Sequence, residues 1–227
     1  MRESRRALIS DLVGDLTPVR RPGKTGRALA LWLGVSGAYS AAMVLMTGPL
    51  RAGAAAALWS APLYALEVAV AAAAIGLLAW AALRTAIPAE PQWDRSLGAP
   101  LAALAAWVLL LVVGLATEPA LETAMLGKRD HCFWQTVIFG VPSSALLLFA
   151  ARGLLPLWPR ATGALAGAAA AAWPALLMQL GCMYEPGHAL GYHLSAIPLL
   201  AALGALVGPR VLARRAVVPR RRSAAIH

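Results

Sequence analysis

The sequence is poor in charged residues. Asp, Glu, Lys and Arg make up 13% of its 227 residues, about half the share of roughly 25% found in soluble domains. Segments 29–46 and 100–117 contain no charged residue at all. A helix of about 20 apolar residues crosses the hydrocarbon core of a bilayer, which is about 30 Å thick. A soluble globular fold is therefore excluded, and the sequence predicts a membrane protein that crosses the bilayer several times.

Acidic residues are also scarce, so the formal net charge is +10. In a soluble protein this excess would suggest nucleic-acid binding, but here the basic residues are not interleaved with aromatic residues that could stack on bases. In membrane proteins, Lys and Arg accumulate at the cytoplasmic ends of the spans. We therefore expect the charge to reflect topology, with no direct binding of nucleic acid.

Catalytic motifs are missing. The chain has two cysteines and no CxxC pair, which excludes a quinone-linked disulfide oxidase, and it has neither a Ser/His/Asp set at one depth nor a glycine-rich phosphate loop. We therefore predict that it is not an enzyme. A small transporter or metal-handling membrane protein is the alternative, although the absence of an internal repeat and of several charges within the spans argues against it.

Six apolar segments predict an all-α bundle of six transmembrane helices. Their expected bounds are Leu29–Met46, Ala61–Leu83, Ala99–Thr117, Phe133–Ala151, Ala161–Leu180 and Leu194–Leu212. The expected domains are a cytoplasmic N-terminal segment (1–27), the transmembrane domain (28–212) and a basic cytoplasmic tail (213–227). The alanine-rich fifth helix should lie inside the bundle. It carries Gly163 and Gly167 at GxxxG spacing, and Gly204 and Gly208 repeat that spacing in the sixth, which favours close helix packing.

The basic residues predict the orientation. With six spans, 17 of the 20 Lys and Arg residues fall on one side, and only Arg51, Lys128 and Arg129 on the other. By the positive-inside rule, both termini are cytoplasmic. The first apolar segment is too long for the core of a signal peptide and should remain as a span.

The segment "GCMYEPGHALGYH", residues 181–193, concentrates reactive side chains on the side away from the cytoplasm. Cys182 in this segment and Cys132 before the fourth helix fall on that face, and three readings remain open: a structural disulfide, a redox-active or metal-responsive pair, and two unrelated thiols. Thiolate and imidazole together suit Zn²⁺ or Cu⁺, so a transition metal at Cys132 and Cys182 is one expectation. The candidates to bind it or to tune the thiols are His131, Glu185, His188, His193 and Glu67. His188 and His193 are five residues apart, which fits no standard zinc signature.

Glu67 is the carboxylate that falls well inside a predicted span. A carboxylate in lipid is costly and by default faces the bundle interior. It is either a buried acid beneath the cysteine layer or a protonated group that hydrogen-bonds between helices.

The N-terminal segment predicts an amphipathic helix. Ile9, Leu12, Val13 and Leu16 follow helical spacing, and Pro18 ends the helix. The apolar stripe can lie on a membrane surface or dock into a partner. Two aspartates outside the stripe favour the partner.

Taken together, these segments resemble the NrsF family of six-helix bacterial membrane proteins, the negative regulators of sigma F. The resemblance rests on "LISDLVGDLTPVRR", "TGPLRAG", Cys132, "RGLLPLWPRATGALAG" and "CMYEPGHALGYH". It implies an anti-sigma factor of the inner membrane that sequesters an extracytoplasmic-function sigma factor, with Cys132 and Cys182 as sensing thiols for oxidants or metals. It also places the sigma-factor contact in the N-terminal segment, at Leu8, Ile9, Asp11, Leu12, Val13, Leu16 and Pro18. The arginine-rich tail after Arg214 falls outside the resemblance, and we expect it to bind anionic lipid.

Overall fold

The structure is a computed structural model that describes residues 6–7, 9–10, 13–14, 25–87, 93–117, 129, 131–154 and 156–212. Six of its helices are long and apolar enough to cross a membrane: Thr25–Met46, Pro62–Arg84, Leu97–Thr117, Cys132–Arg152, Pro159–Gly181 and Pro186–Leu212. We refer to them as the first to sixth spans. The described residues contain no strand. The predicted fold class, an all-α bundle with six membrane-spanning helices, is confirmed.

The largest differences from the predicted helices are in the third and sixth spans and in a short additional helix. The helix of the third span begins at Trp93, six residues earlier than expected, and a short helix, Ala54–Ser60, precedes the second span. The sixth span begins at Pro186 with a short α-helical turn, continues as a π-helix over Ala189–Leu194 and becomes α-helical over Ala196–Leu212. Proline suits the first turn of a helix, whereas the polar residues that follow Pro186 interrupt the apolar run from which the prediction was made.

Part of the predicted N-terminal helix lies among the described residues. Residues 6–7, 9–10 and 13–14 are helical, and Ile9 and Val13 are exposed. The basic tail, 213–227, lies outside the described residues. So do the other residues predicted to contact a sigma factor, which are Leu8, Asp11, Leu12, Leu16 and Pro18.

The fifth span lies at the centre of the bundle, as predicted. It packs against the first, second, fourth and sixth spans, and most of its residues are buried, including the alanine run from Ala168 to Ala172. Small side chains let neighbouring backbones approach closely. The van der Waals packing that results is a main source of attraction between helices in a lipid environment. The third span is peripheral and contacts the second span and the start of the sixth.

The closest approach joins the fifth and sixth spans. A Cβ atom added to Gly163 would collide with the backbone carbonyl of Gly204 and lie 3.1 Å from Cα of Gly208. A Cβ atom at Gly167 would collide with the carbonyl of Leu200. Glycine at these positions is therefore a packing requirement, because the obstacle is backbone that cannot rotate away.

The bundle has two ends. At one, which we call the cysteine end, the fourth span begins at Cys132 and the fifth is followed by Cys182. The first span begins at the opposite end and finishes at the cysteine end, where Arg129 contacts Val44 and Gly48. The cytoplasmic location of the termini stays a prediction.

Gly163→Ala should destabilise the bundle by about 1–3 kcal/mol, the usual cost of overpacking a core. Gly34→Ala in the first span is the matched control, because nothing lies within 4 Å of a Cβ atom there. The measurement is SDS-induced unfolding of the purified protein. Equal stability of both variants would contradict the contact between the fifth and sixth spans.

Candidate functional site: a buried thiol–imidazole cluster

Two thiols and two imidazoles meet at the cysteine end. The potential ligand atoms of Cys132, Cys182, His188 and His193 all lie within 4.8 Å of one another. The two Sγ atoms are 3.4 Å apart, and Cys182 Sγ lies 3.4 Å from Nε2 of His188. All four side chains are buried. We call this group the thiol–imidazole cluster.

Three spans supply the cluster. Cys132 is the first residue of the fourth span, Cys182 caps the end of the fifth, and the two histidines lie in the first turns of the sixth. Both cysteines are free thiols, since an S–S bond is about 2.05 Å long and their sulfurs are farther apart. The prediction that the thiols share one face is confirmed by their contact.

The π-helix explains a spacing that did not fit the sequence motifs. A π-helix has i→i+5 hydrogen bonds and a wider turn than an α-helix. His188 precedes the π-helical segment Ala189–Leu194 and His193 lies within it, so residues five apart come near the same face. Their ring centroids are 5.0 Å apart. The spacing therefore does not disqualify the pair as joint ligands.

Two contacts in the cluster have the separation expected in a tetrahedral ligand set. Metal–ligand bonds of about 2.3 Å to sulfur and about 2.0–2.1 Å to nitrogen place the ligand atoms of a tetrahedral zinc ion roughly 3.3–3.8 Å apart. The two 3.4 Å contacts fall in that range. A set of two sulfurs and two nitrogens is typical of zinc and other soft or borderline ions. The side chains present could thus hold a metal ion.

His193 is the most informative member of the cluster. It is completely buried, and neither ring nitrogen has a hydrogen-bond partner among the described residues. A buried polar group without a partner costs free energy, and coordination to a metal would remove that cost. His188, by contrast, stacks on the Tyr192 ring with the centroids 4.8 Å apart.

The two thiols are not equivalent. Cys182 lies in the connector between the fifth and sixth spans, where its hydrogen bond with Cys132 lowers the pKa of its thiol; burial opposes this shift and His188 reinforces it. Cys182 is therefore the thiol of the pair that more readily becomes a thiolate, the form that binds metals and reacts with oxidants.

A cavity of about 520 Å³ leads to part of the cluster. Its lining includes Cys132 and His188, together with His131, Tyr192 and Ser195. Cys182 and His193 are not among the lining residues. Within the described part of the chain, a small reagent in this cavity would therefore meet Cys132 and His188 first.

Two predicted candidates are not members of the cluster. Among the described residues, the group of potential ligands that meets at the cysteine end includes neither His131 nor Glu185. His131 is exposed and precedes the fourth span, and Glu185 is half-buried in the connector. Adjacency in sequence to Cys132 or His188 thus does not bring a side chain into the cluster.

Glu67 has a different setting. Both of its carboxylate oxygens accept a hydrogen bond from the Tyr184 hydroxyl at 2.7 Å, and Glu67 Oε1 would lie 3.5 Å from a Cβ atom at Gly114 in the third span. Glu67 is not a member of the thiol–imidazole cluster. Because Tyr184 lies in the connector after the fifth span, this contact ties the second span to that connector.

Sequence reasoning missed Arg129 as a structural residue. In the sequence Arg129 is one of three basic residues on the side with few positive charges. In the structure its guanidinium hydrogen-bonds to the end of the first span, and its carbonyl accepts a hydrogen bond from Cys132. The sequence feature that could have indicated this role is the position of Arg129 three residues before Cys132.

The fold and the site are those of a small helical membrane protein with several spans and a thiol–imidazole cluster buried at one end of the bundle. The chain belongs to the NrsF family, described as negative regulator of sigma F, which matches residues 12–213. No curated protein and no solved structure matches the chain. The family assignment confirms the resemblance and makes the chain a negative regulator with a sigma factor as partner, a role that is regulatory and not enzymatic.

Tyr184→Phe removes the hydroxyl that donates to Glu67, a completely buried carboxylate. We expect this variant to lose about 1.5–3 kcal/mol of stability, the range for hydrogen bonds to charged groups. Tyr192→Phe is the control, because Tyr192 is exposed and its ring stacking on His188 is retained by phenylalanine. SDS-induced unfolding of the purified variants measures both, and an unchanged Tyr184→Phe variant would refute this role of the Tyr184–Glu67 contact.

Proposed function

We propose that the chain is an anti-sigma factor of the bacterial inner membrane. It holds an extracytoplasmic-function sigma factor and releases it when an oxidant or a metal ion reacts with Cys132 and Cys182. The family supports the regulatory role and the sigma-factor partner. The observation that carries the sensing role is the burial of four ligand atoms within 4.8 Å of one another.

The two ends of the bundle suit different tasks. The distribution of Lys and Arg favours a location of the cysteine end in the periplasm, where disulfides and metal complexes of thiols persist. The N-terminal segment precedes the first span at the opposite end and exposes Ile9 and Val13. An amphipathic helix of this kind docks its apolar face into a groove on a partner, so the sigma factor binds there, in the cytoplasm.

A metal ion and an oxidant would use the cluster differently. A bound metal ion such as Zn²⁺ would be held by Cys132, Cys182, His188 and His193, with the thiol protons released to water. A two-electron oxidant such as hydrogen peroxide would join the sulfurs into a disulfide, itself being reduced to water. The imidazole of His193, which has no hydrogen-bond partner among the described residues, favours metal binding. A disulfide between the two cysteines would leave that ring without a partner.

Purified, reduced full-length protein should bind a single Co²⁺ ion, the spectroscopic substitute for Zn²⁺, with thiolate-to-cobalt charge-transfer absorption. His193→Ala should weaken binding at least about tenfold, since even the loss of an outer-shell partner costs about 10–100-fold in metal affinity. His131→Ala, which changes an exposed histidine outside the cluster, is the matched control. A wild-type protein without the charge-transfer band would contradict the metal site and leave the oxidant as the signal.

Ile9→Asp or Val13→Asp should reduce the amount of cognate sigma factor that sediments with membranes containing the full-length protein by at least about tenfold, as expected for apolar anchors of an interface. Ala7→Asp is the control, because Ala7 is helical and exposed but lies off the apolar stripe. Sigma factor that sediments equally with all variants would rule out the N-terminal helix as the contact.

A further inference from the structure

Arg129 holds the end of the first span. Its Nη1 donates to the Val44 carbonyl at 2.9 Å and to Thr47 Oγ1 at 2.7 Å. Its Nη2 donates to the carbonyls of Gly48 and Pro49, each at 2.9 Å. The last carbonyls of a helix lack partners within it, and a cationic side chain is favourable at that end. One guanidinium thus satisfies four acceptors at residues 44–49.

The same residue is joined to the thiol–imidazole cluster. The Cys132 thiol donates a hydrogen bond to the Arg129 carbonyl at 3.1 Å. The guanidinium also passes over Gly181, the residue before Cys182, where an added Cβ atom would lie 3.2 Å from Arg129 Nη2 and 2.9 Å from Val44. Arg129 therefore lies between the end of the first span and both cysteines.

The buried face of the first span is partly polar. Its buried residues are Trp32, Ser36, Ser40 and Val44, and the hydroxyls of Ser36 and Ser40 have no hydrogen-bond partner among the described residues. Trp32 donates to the Ser143 carbonyl of the fourth span. Buried hydroxyls without partners do not stabilise an interface, so the four hydrogen bonds from Arg129 add to the packing of Trp32 and Val44 in fixing this span.

We propose that Arg129 couples the chemical state of the cysteine pair to the position of the first span, and through it to the N-terminal segment. This inference rests on the proposed function. In the reduced, metal-free protein the Cys132 S–H group is shared between the Arg129 carbonyl at 3.1 Å and Cys182 Sγ at 3.4 Å, as a three-centre hydrogen bond. A sulfur bonded to a metal ion or to Cys182 has no S–H group to donate, so the hydrogen bond to Arg129 is lost. Metal binding or oxidation at the cluster therefore has a different free energy in each of two positions of the first span. Such a difference is required for a signal, because a ligand shifts a conformational equilibrium only by its differential affinity for the two conformations.

The test uses full-length protein in membranes with its cognate sigma factor bound. The measured quantity is the ratio of sigma factor released with and without stimulus, either Zn²⁺ or hydrogen peroxide. Arg129→Lys keeps the charge but cannot reproduce the four-acceptor geometry of a guanidinium. We expect the ratio to fall at least about tenfold, the equivalent of losing a hydrogen bond to a charged group. Co²⁺ binding should stay within about threefold of wild type, because no ligand is changed.

A matched threonine pair provides the second variant. Thr47→Val removes one of the two acceptors of Arg129 Nη1. Thr117→Val changes a threonine at the end of the third span whose hydroxyl bonds to its own helix. The release ratio should fall in Thr47→Val and stay unchanged in Thr117→Val. If Arg129→Lys fails to fold, these two threonine variants test the coupling by Arg129 in its place.

The outcomes separate the two proposals. A wild-type release ratio in Arg129→Lys or, where that variant does not fold, in Thr47→Val overturns the coupling by Arg129 and leaves the sensing site intact. Wild-type protein that releases no sigma factor with either stimulus overturns the proposed function, and this inference with it.

Discussion

The contact between the backbones of the fifth and sixth spans is the constraint on which the rest of the structure depends. Lipid is as apolar as the side chains it surrounds, so helices in a membrane gain most from close packing. Gly163 and Gly204 permit that packing because neither has a side chain in the way. Once the two backbones touch, the start of the sixth span is held beside the end of the fifth. The histidines of one span then lie against Cys182 at the end of the other.

The thiol–imidazole cluster joins separate parts of the bundle. The fourth span contributes Cys132, the connector after the fifth contributes Cys182, and the sixth contributes both histidines. Arg129 adds the end of the first span through hydrogen bonds at 2.7–2.9 Å. A chemical change at a site shared by several helices alters their relative free energies, whereas the same change within one helix would have no such effect. This arrangement suits a regulator that acts across a membrane.

Particular residues show how far the sequence predicts the site. Cys132 and Cys182 were predicted to share a face, because counting six spans puts both connectors on the same side, and they are in contact. His131 and His193 could not be told apart in the sequence, since each lies close to a span boundary. The structure buries His193 in the cluster and leaves His131 exposed. The difference arises from a π-helical turn, whose occurrence depends on packing against the neighbouring spans.

The sequence alone determined the six spans, the central position of the alanine-rich helix and the family, because hydropathy and local motifs are properties of consecutive residues. Only the tertiary structure decided which polar side chains meet. Glu67 pairs with Tyr184, and Arg129 caps the first span, although each partner is at least 80 residues away in the chain. Such contacts depend on the rotation and height of each helix in the bundle. Those are set by packing among all the spans together, which no local pattern records.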